Sequence, residues 1–236
     1  MDIRGKRKRS FWLSLLFFLC IFLWPQTVYA EKTSKDTVLT IETAVISSTS
    51  EEEIYLPLKL ELNDENKKEV ELENKKSSIT LDEKKAGVCG EYQAEVSEGT
   101  YYYIAYNPNT GKKMGEGSFE VDTGEKTHYE FLAAYNWGGS GTITNKDKVA
   151  FSLEITGSDG KTKFPVGEDG LTAVLPVRNG ADDGAYNYAF VPEDKDYWGS
   201  SGNLWTYKNN GVDYFGALNG SDGGQTGFLI APKTII

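Results

Sequence analysis

After its first thirty residues, the chain alternates between apolar and polar residues with a period of two. In the stretches 37–45 and 58–62, one side of the chain is mostly apolar and the other carries charged or hydroxyl side chains. Shorter runs of the same kind occur at 70–73, 78–81, 92–96, 101–106, 117–121 and 127–132. Clusters of Gly, Asn, Asp and Ser separate these runs at the spacing of a β-sandwich or barrel. The pattern predicts an all-β protein whose sheets each have one polar face.

The first thirty residues predict a secretory signal peptide. Basic residues at 4–9 precede an apolar run at 11–24, and the small residue Ala30 offers a cleavage site. The run is shorter than the roughly 20 residues that span a bilayer, so an uncleaved anchor is not expected. Two bulky residues precede Cys20, whereas a lipid-attachment site needs small ones there. We therefore expect a secreted or cell-surface product without a stable membrane span, either released or continued in a longer chain.

Removal of residues 1–30 leaves 20 basic and 34 acidic residues, a net charge of −14. Nucleic-acid binding depends on clustered Lys and Arg, so this charge argues against such a partner. Cys89 is then the single cysteine, which excludes an internal disulfide and predicts a small buried side chain. His128 is the only histidine, so two-histidine metal sites are excluded. Its place in an alternating run predicts a solvent-facing side chain rather than a catalytic base.

The second half of the chain repeats features of the first at an offset of 84 or 85 residues. Gly99-Thr100-Tyr101 recurs as Gly184-Ala185-Tyr186, and each copy continues into what reads as a hairpin, at 119–132 and at 204–218. The second hairpin contains Asn-Gly at 210–211, the strongest short signal for a tight turn. We interpret the pattern as two copies of one domain, at 31–136 and 137–236, joined by a short Gly/Ser linker at 136–141.

The order of motifs within each copy resembles the prealbumin-like (transthyretin-type) sandwiches. A glycine-led strand at 90–96 or 170–176 precedes the Gly-x-Tyr strand in both copies. This family includes carboxypeptidase regulatory-like modules and the Cna-B-type modules of Gram-positive surface proteins. The resemblance implies two tandem Ig-like antiparallel β-sandwiches that act as non-catalytic stalks, spacers or adhesin domains.

Cna-B-type modules often join a Lys to an Asn through an isopeptide bond, assisted by a Glu six residues after the glycine of Gly-x-Tyr. The corresponding positions here hold Ala105 and Phe190, which cannot transfer a proton. Lys148 and Asn219 are the remaining pair that such a bond would join. The missing acid predicts that the bond does not form.

The acidic residues offer candidates for catalysis or calcium binding, but all of them fall in turns. Asp182 and Asp183 form one group, and Glu193, Asp194 and Asp196 form another. Paired carboxylates hydrolyse glycosides, and oxygen ligands bind calcium. Neither group has the spacing of a known calcium loop, and acids in turns are usually solvated. We therefore predict no catalytic residues, no metal site and no cofactor.

Aromatic residues provide the remaining candidate site. Alternation places Trp205 and Tyr207 on one face of a strand with Leu204 on the other, and Trp198 lies in a turn. Exposed rings beside polar groups stack on sugars, which predicts a ligand site formed by Trp198, Trp205 and Tyr207. The alternative is that these rings fill the core of a small sandwich.

Together these patterns predict a secreted or cell-surface, non-enzymatic β-sandwich protein with a structural or adhesive role. Its expected partner is a host or cell-surface protein or glycan. A carbohydrate-binding module that uses the aromatic residues of the second copy is the alternative.

Overall fold

The computed structural model describes residues 37–45, 58–81, 85–122, 126–177, 186–209, 212–218 and 227–233. At 76–81, 85–89, 206–209 and 212–218 it describes the backbone alone. Residues 34–236 group into one compact unit. The predicted signal peptide lies outside the described residues, as do Asp182, Asp183 and Asn219. No helix within the described ranges is long and apolar enough to cross a membrane.

The described chain consists almost entirely of strands, which confirms the all-β prediction. Side chains in these strands alternate between buried and exposed, for example along Lys59–Asn63, because successive residues point to opposite faces of a sheet. Among the described residues, one helical turn occurs, α1 (Trp137–Ser140). The strands are β1 (Thr37–Val45), β2 (Lys59–Asn63), β3 (Glu73–Leu81), β4 (Lys85–Val96), β5 (Gly99–Tyr106), β6 (Lys113–Val121), β7 (Thr127–Asn136), β8 (Thr142–Asn145), β9 (Phe151–Gly157), β10 (Thr172–Pro176), β11 (Tyr186–Pro192), β12 (Tyr197–Gly199), β13 (Ser201–Asn209), β14 (Val212–Leu218) and β15 (Gly227–Pro232).

These strands form four sheets. The largest has the order β10-β7-β1-β4-β3, and the others are β14-β13-β11-β9, β12-β15-β8 and β2-β5-β6. Most neighbours are antiparallel, but β1 runs parallel to β7 and β15 runs parallel to β8. The strand β10 comes from the second predicted copy and pairs with β7 from the first.

Two hydrophobic clusters lie on opposite faces of β7 and β10. Leu132, Ala134 and Val174 pack into a cluster with Leu39 and Tyr103, which belong to the first half of the chain. The intervening residues of the same two strands pack into the other cluster, with Tyr188, Phe190 and Phe228 among its members. Residues 131–135 of β7 and all of β10 are therefore buried on both faces, and they form a wall that both cores share.

The predicted hairpins have different outcomes. The second is confirmed, since β13 pairs with β14 from Asn203↔Leu218 to Asn209↔Val212. The first is wrong, because β6 pairs with β5 while β7 pairs with β1 and β10. Alternation fixes which face of a strand is apolar, but it does not fix which strand lies beside it.

The stretch predicted to be a Gly/Ser linker is a capped helical turn. The Asn136 side chain accepts a hydrogen bond from the Gly139 amide at 2.6 Å, and Trp137 is fully buried. The indole ring of Trp137 meets Tyr135 edge-on, with ring centroids 4.5 Å apart. A buried tryptophan therefore holds this connection in place. The boundary between two domains at this point stays a prediction.

Candidate functional site

The most exposed tryptophan of the described chain, Trp198, lies on the outer face of the sheet β12-β15-β8. Its side chain is 44% exposed, and its register partner on β15 is the small residue Ala231. Phe228 and Ile230 of β15 point into the core, so Leu229 and Ala231 point outward. Leu229 is itself 36% exposed and pairs with Thr144 of β8. We call Trp198, Ala231, Leu229 and Thr144 the Trp198 face.

A turn rich in acidic residues positions Trp198 beside this sheet. The Asp194 carboxylate accepts the Asp196 amide at 2.9 Å, and the Tyr197 amide donates to the Asp194 carbonyl at 3.1 Å. The Asp196 carbonyl accepts the Lys233 amide at 2.8 Å, which ties the turn to the end of β15. The prediction that Glu193, Asp194 and Asp196 lie in a turn is therefore confirmed. The prediction that Trp198 lies in the turn is wrong, because the strand β12 already begins at Tyr197.

Tyr197, which precedes Trp198, packs against one of the two hydrophobic clusters and binds an acidic side chain. Its hydroxyl donates to the Asp147 carboxylate at 3.1 Å. That hydrogen bond, followed by partial burial and the negative charges of Asp147, Asp194 and Asp196, raises the pKa of Tyr197. The acidic side chains of this turn are hydrogen-bond acceptors, and an apolar ring together with such acceptors is the combination that binds sugars.

Gly199 and Ser200 fix the backbone after Trp198. A Cβ atom at Gly199 would lie 2.0 Å from the Phe190 carbonyl oxygen, so only glycine allows this close approach. The Phe190 amide donates to the Ser200 carbonyl at 2.9 Å, and the Ser200 hydroxyl accepts the Leu229 amide at 2.8 Å. These bonds connect the end of β12 to β11 and to β15, so the backbone next to Trp198 is held on both sides.

The other two predicted site residues lie on β13, in a different sheet from Trp198. Leu204 is fully buried, so Trp205 points to the opposite face of the strand. Trp205 is half-buried, and its indole Nε1 is buried without a hydrogen-bond partner among the described residues. The Tyr207 side chain lies outside the described residues. A combined site of all three residues stays a prediction.

Several turn acids are used to hold the backbone. The sequence Gly-x-Asp-Gly-x-Thr occurs at 157–162 and again at 167–172. In each copy the Asp carboxylate accepts two backbone amides and the threonine hydroxyl, as Asp159 does from Lys161 and Thr162. Those hydrogen bonds lower the pKa of Asp159. In each copy the second glycine has a positive φ, 65° at Gly160 and 70° at Gly170, a backbone conformation that suits glycine.

Asp169, in the second of these turns, has an additional partner. Its carboxylate also accepts the Asn136 side-chain amide at 3.1 Å, and Asn136 in turn donates to the Thr172 hydroxyl at 2.6 Å. Partial burial opposes ionisation, but the hydrogen bonds from Thr172 and Leu171 outweigh it and lower the pKa of Asp169. This carboxylate therefore connects the turn before β10 to the cap of α1.

His128 occupies a different position from the one predicted. Its side chain is only 20% exposed, it stacks on Phe119 with ring centroids 6.1 Å apart, and its Nε2 lies 2.9 Å from the Glu130 carboxylate. Tyr129, expected to face the core, is instead 52% exposed and donates to Glu42 at 2.6 Å. The prediction of a solvent-facing His128 is wrong, because the alternation of β7 begins on the other face.

The positions that the resemblance singled out for cross-linking are accounted for in part. Ala105 and Phe190 are both buried in hydrophobic clusters. Lys148 is exposed and has a positive φ of 54°. An isopeptide bond needs a buried neutral lysine, and the position of Lys148 does not supply one. Within the described ranges, no three His, Cys, Asp or Glu side chains form a group that could hold a metal ion.

One aromatic surface was not foreseen from the sequence. Along β5, Tyr101, Tyr103 and Ala105 are buried, so Tyr102, Ile104 and Tyr106 line the outer face of the sheet. Tyr102 is 48% exposed, and Lys59 lies 5.7 Å from the centroid of the Tyr106 ring. Both faces of this strand carry tyrosine, so the sequence gives no signal for which one is exposed.

Comparisons with protein-family models, with curated proteins and with solved structures find no significant match to this chain.

Proposed function

We propose that this chain is an exported, non-catalytic β-sandwich protein with a structural or adhesive role at a Gram-positive-type cell surface. The observation that supports the proposal is how its reactive side chains are used. The described turn acids Asp159, Asp169 and Asp194 accept backbone amides, and the hydroxyl of Tyr103 binds a buried backbone carbonyl. These groups stabilise the fold, as expected of a scaffold. The proposed partner is a protein or glycan of the host or of the cell surface.

The finer organisation belongs to the same proposal. Two tandem prealbumin-like sandwiches after a cleaved signal peptide are supported by two hydrophobic clusters, one centred on each half of the chain. The cleavage site is Ala30. In this arrangement the sandwiches share the wall formed by β7 and β10, so they act as a single piece rather than as separately moving modules.

The test of the structural proposal has two arms. The gene is expressed in a Gram-positive host, and the protein is detected in the medium and on intact cells by protease shaving. We expect an exported product without residues 1–30. The purified product is then assayed for turnover of glycans, esters and peptides. Retention of the protein inside the cell, or robust turnover, would contradict the proposal.

A carbohydrate-binding module is the second candidate function, and the exposure of Trp198 favours it. The indole lies on the outer sheet face that also carries Leu229, and it follows a turn rich in acidic residues. Aromatic rings in such surroundings cover the apolar face of a sugar ring. Titration of tryptophan fluorescence with soluble glycans tests this candidate, with Trp198→Ala expected to abolish the response. The matched control is Tyr102→Ala, which removes an exposed ring from a different sheet. A flat response across a broad glycan panel would eliminate the candidate.

A further inference from the structure

The first and last strands of the described chain are both inner strands of their sheets. β1 lies between β7 and β4, and β15 lies between β12 and β8. In each case one of the two neighbours is parallel, β7 for the first strand and β8 for the last. Among the described strands, parallel neighbours are the minority, and each of the two parallel pairs includes the first or the last described strand.

This pairing determines how the strands respond to tension. A force that enters before Thr37 pulls β1 toward its own N-terminal end, whereas a force transmitted along the chain pulls β7 toward its C-terminal end. Because β1 and β7 are parallel, these two forces slide the strands past each other. Sliding loads every hydrogen bond of the ladder at once, whereas peeling an antiparallel hairpin from its open end loads one pair at a time.

The same geometry holds at the other end. β8 is pulled at its N-terminal end and β15 at its C-terminal end, after Pro232, and the two strands are parallel. The covalent link from β7 to β8 is the helical turn α1 and Gly141. Trp137 in that turn is fully buried, and its amide donates to the Leu171 carbonyl at 3.0 Å. The link therefore transmits tension directly from one parallel pair to the other.

We propose that the fold resists tension applied between its two ends through two parallel strand pairs loaded in shear, β1/β7 and β8/β15, and that β8/β15 ruptures first. This inference deepens the proposed structural role and rests on it for its biological purpose. The physical claim concerns only strand direction, register and packing.

The two pairs differ in length, which sets the order of rupture. β1 has eight register pairs with β7 and seven with β4. β15 has four with β8 and three with β12. Leu39 and Ile41 fix β1 in one core, and Phe228 and Ile230 fix β15 in the other. The phenylalanine ring lies 4.9 Å from that of Phe190. Each of the two strands is held in its core by two large apolar side chains, but the β8/β15 ladder has half as many register pairs as the β1/β7 ladder. The pair β8/β15 is therefore the weaker one.

The first experiment compares two directions of pulling on the same fold. The full chain is stretched from its ends between protein handles in a single-molecule force instrument. It is then stretched through cysteines in E98C/D122C, with Cys20 and Cys89 replaced by alanine. These two exposed positions lie just outside the register pair Gly99↔Val121, at the open end of the hairpin. Pulling on them therefore peels the antiparallel pair β5/β6 apart from that end. We expect the end-to-end rupture force to exceed the peeling force by at least about twofold, since a whole ladder of bonds must fail together. Equal forces in the two directions would overturn the proposal.

The second experiment closes the weaker pair with a disulfide. Thr144 and Leu229 are register partners on the outer face, and adjacent strands are about 4.8 Å apart, within the Cα separation that a disulfide accepts. In T144C/L229C, oxidation bypasses β8/β15, so the first rupture moves to β1/β7. The force of the first rupture is expected to rise by up to about twofold, in line with the longer ladder. The reduced form of the same protein is the matched control.

An unchanged first-rupture force on oxidation would show that β8/β15 is not the first pair to fail, and would overturn the order of rupture. If T144C/L229C does not fold, T142C/G227C closes the same ladder two register pairs earlier, where both positions are exposed. These measurements do not depend on export, turnover or glycan binding. A failure of the mechanical inference is therefore distinguishable from a failure of the proposed function.

Discussion

The free edge of β10 is closed by tyrosine hydroxyls, and removing one of them is a direct test of the fold. The carbonyls of Thr172, Val174 and Pro176 point away from β7. They accept the Gly167 amide, the Tyr103 hydroxyl and the Tyr186 hydroxyl, respectively. Two tyrosines from opposite cores thus satisfy an edge that would otherwise have buried, unpaired acceptors.

Tyr103→Phe removes the hydroxyl that donates to the Val174 carbonyl at 2.7 Å. Both residues are almost completely buried. The Tyr103 hydroxyl fits because residue 117 is glycine: a Cβ atom at Gly117 would lie 2.5 Å from the Tyr103 hydroxyl oxygen. The change loses a net hydrogen bond of about 1 kcal/mol and leaves a buried acceptor unpaired, which adds a cost of about 1 kcal/mol or more. We expect the free energy of unfolding to fall by about 2 kcal/mol, a decrease in Tm of about 4–8 °C for a domain of this size.

Urea unfolding followed by tryptophan fluorescence measures this change, with the slope m compared between variants to verify that the denatured state is unaffected. Tyr102→Phe is the matched control, because the neighbouring hydroxyl belongs to an exposed side chain on the opposite face. The control is expected to change stability by less than about 0.5 kcal/mol. A Tyr103→Phe variant as stable as this control would refute the assignment of Tyr103 as the donor that closes the edge of β10.

Three further predictions follow from close contacts and from shifted pKa values. Gly199→Ala is expected to destabilise the fold by about 1–3 kcal/mol, because the added Cβ would collide with the backbone of Phe190. A Cβ at Gly227 would meet open space, so Gly227→Ala is the control and should leave the Tm of the thermal melt nearly unchanged. Asp169→Ala should cost about 1–2 kcal/mol and more than Asp159→Ala, since only the first also holds the α1 cap. The pKa of Asp169 is lowered on folding, so the stability that its ionised carboxylate provides should be present above about pH 4 and be lost as pH falls below it. Acid titrations of the free energy of unfolding should lack this loss in Asp169→Ala. Burial, followed by the charge of Tyr135, raises the pKa of Tyr188 to about 12. The stability that the neutral Tyr188 hydroxyl provides should therefore hold below pH 10 and disappear as pH rises from 10 to 12. Denaturant midpoints that stay constant through this range would contradict the prediction.

The strands were largely predictable from the sequence, whereas their partners were not. The alternation at 37–45 predicted β1 with its bounds, and Asn-Gly at 210–211 predicted the β13/β14 pair. The run 131–135, by contrast, is apolar at every position, which is typical of a strand buried on both faces. Read as the end of an alternating strand, it suggested a hairpin with β6. A strand with two apolar faces does not specify which core it belongs to, and here it belongs to both.

The candidate site was predictable only where local chemistry determines exposure. Trp198 follows an acidic turn, and its exposure agrees with that position. The exposure of Trp205 depends on what packs against the outer face of β13, which a strand pattern does not contain. For the same reason, the outward-facing stripe of β5 gave no signal, since Tyr102 and Tyr103 are the same residue type on opposite faces.

The shared wall of β7 and β10 has a consequence for how the two halves of the chain act together. Phe131, Ala133 and Tyr135 pack into the second core, although they lie in the first predicted copy. Val174 packs into the first core, although it lies in the second. Neither core is complete without residues from the other half, so loosening one exposes apolar surface that belongs to the other. Tension that enters at β1 and leaves at β15 must cross this wall. A wall common to both cores would make the fold transmit tension as one body under the mechanical proposal, which is the property that the proposed stalk or adhesive role requires.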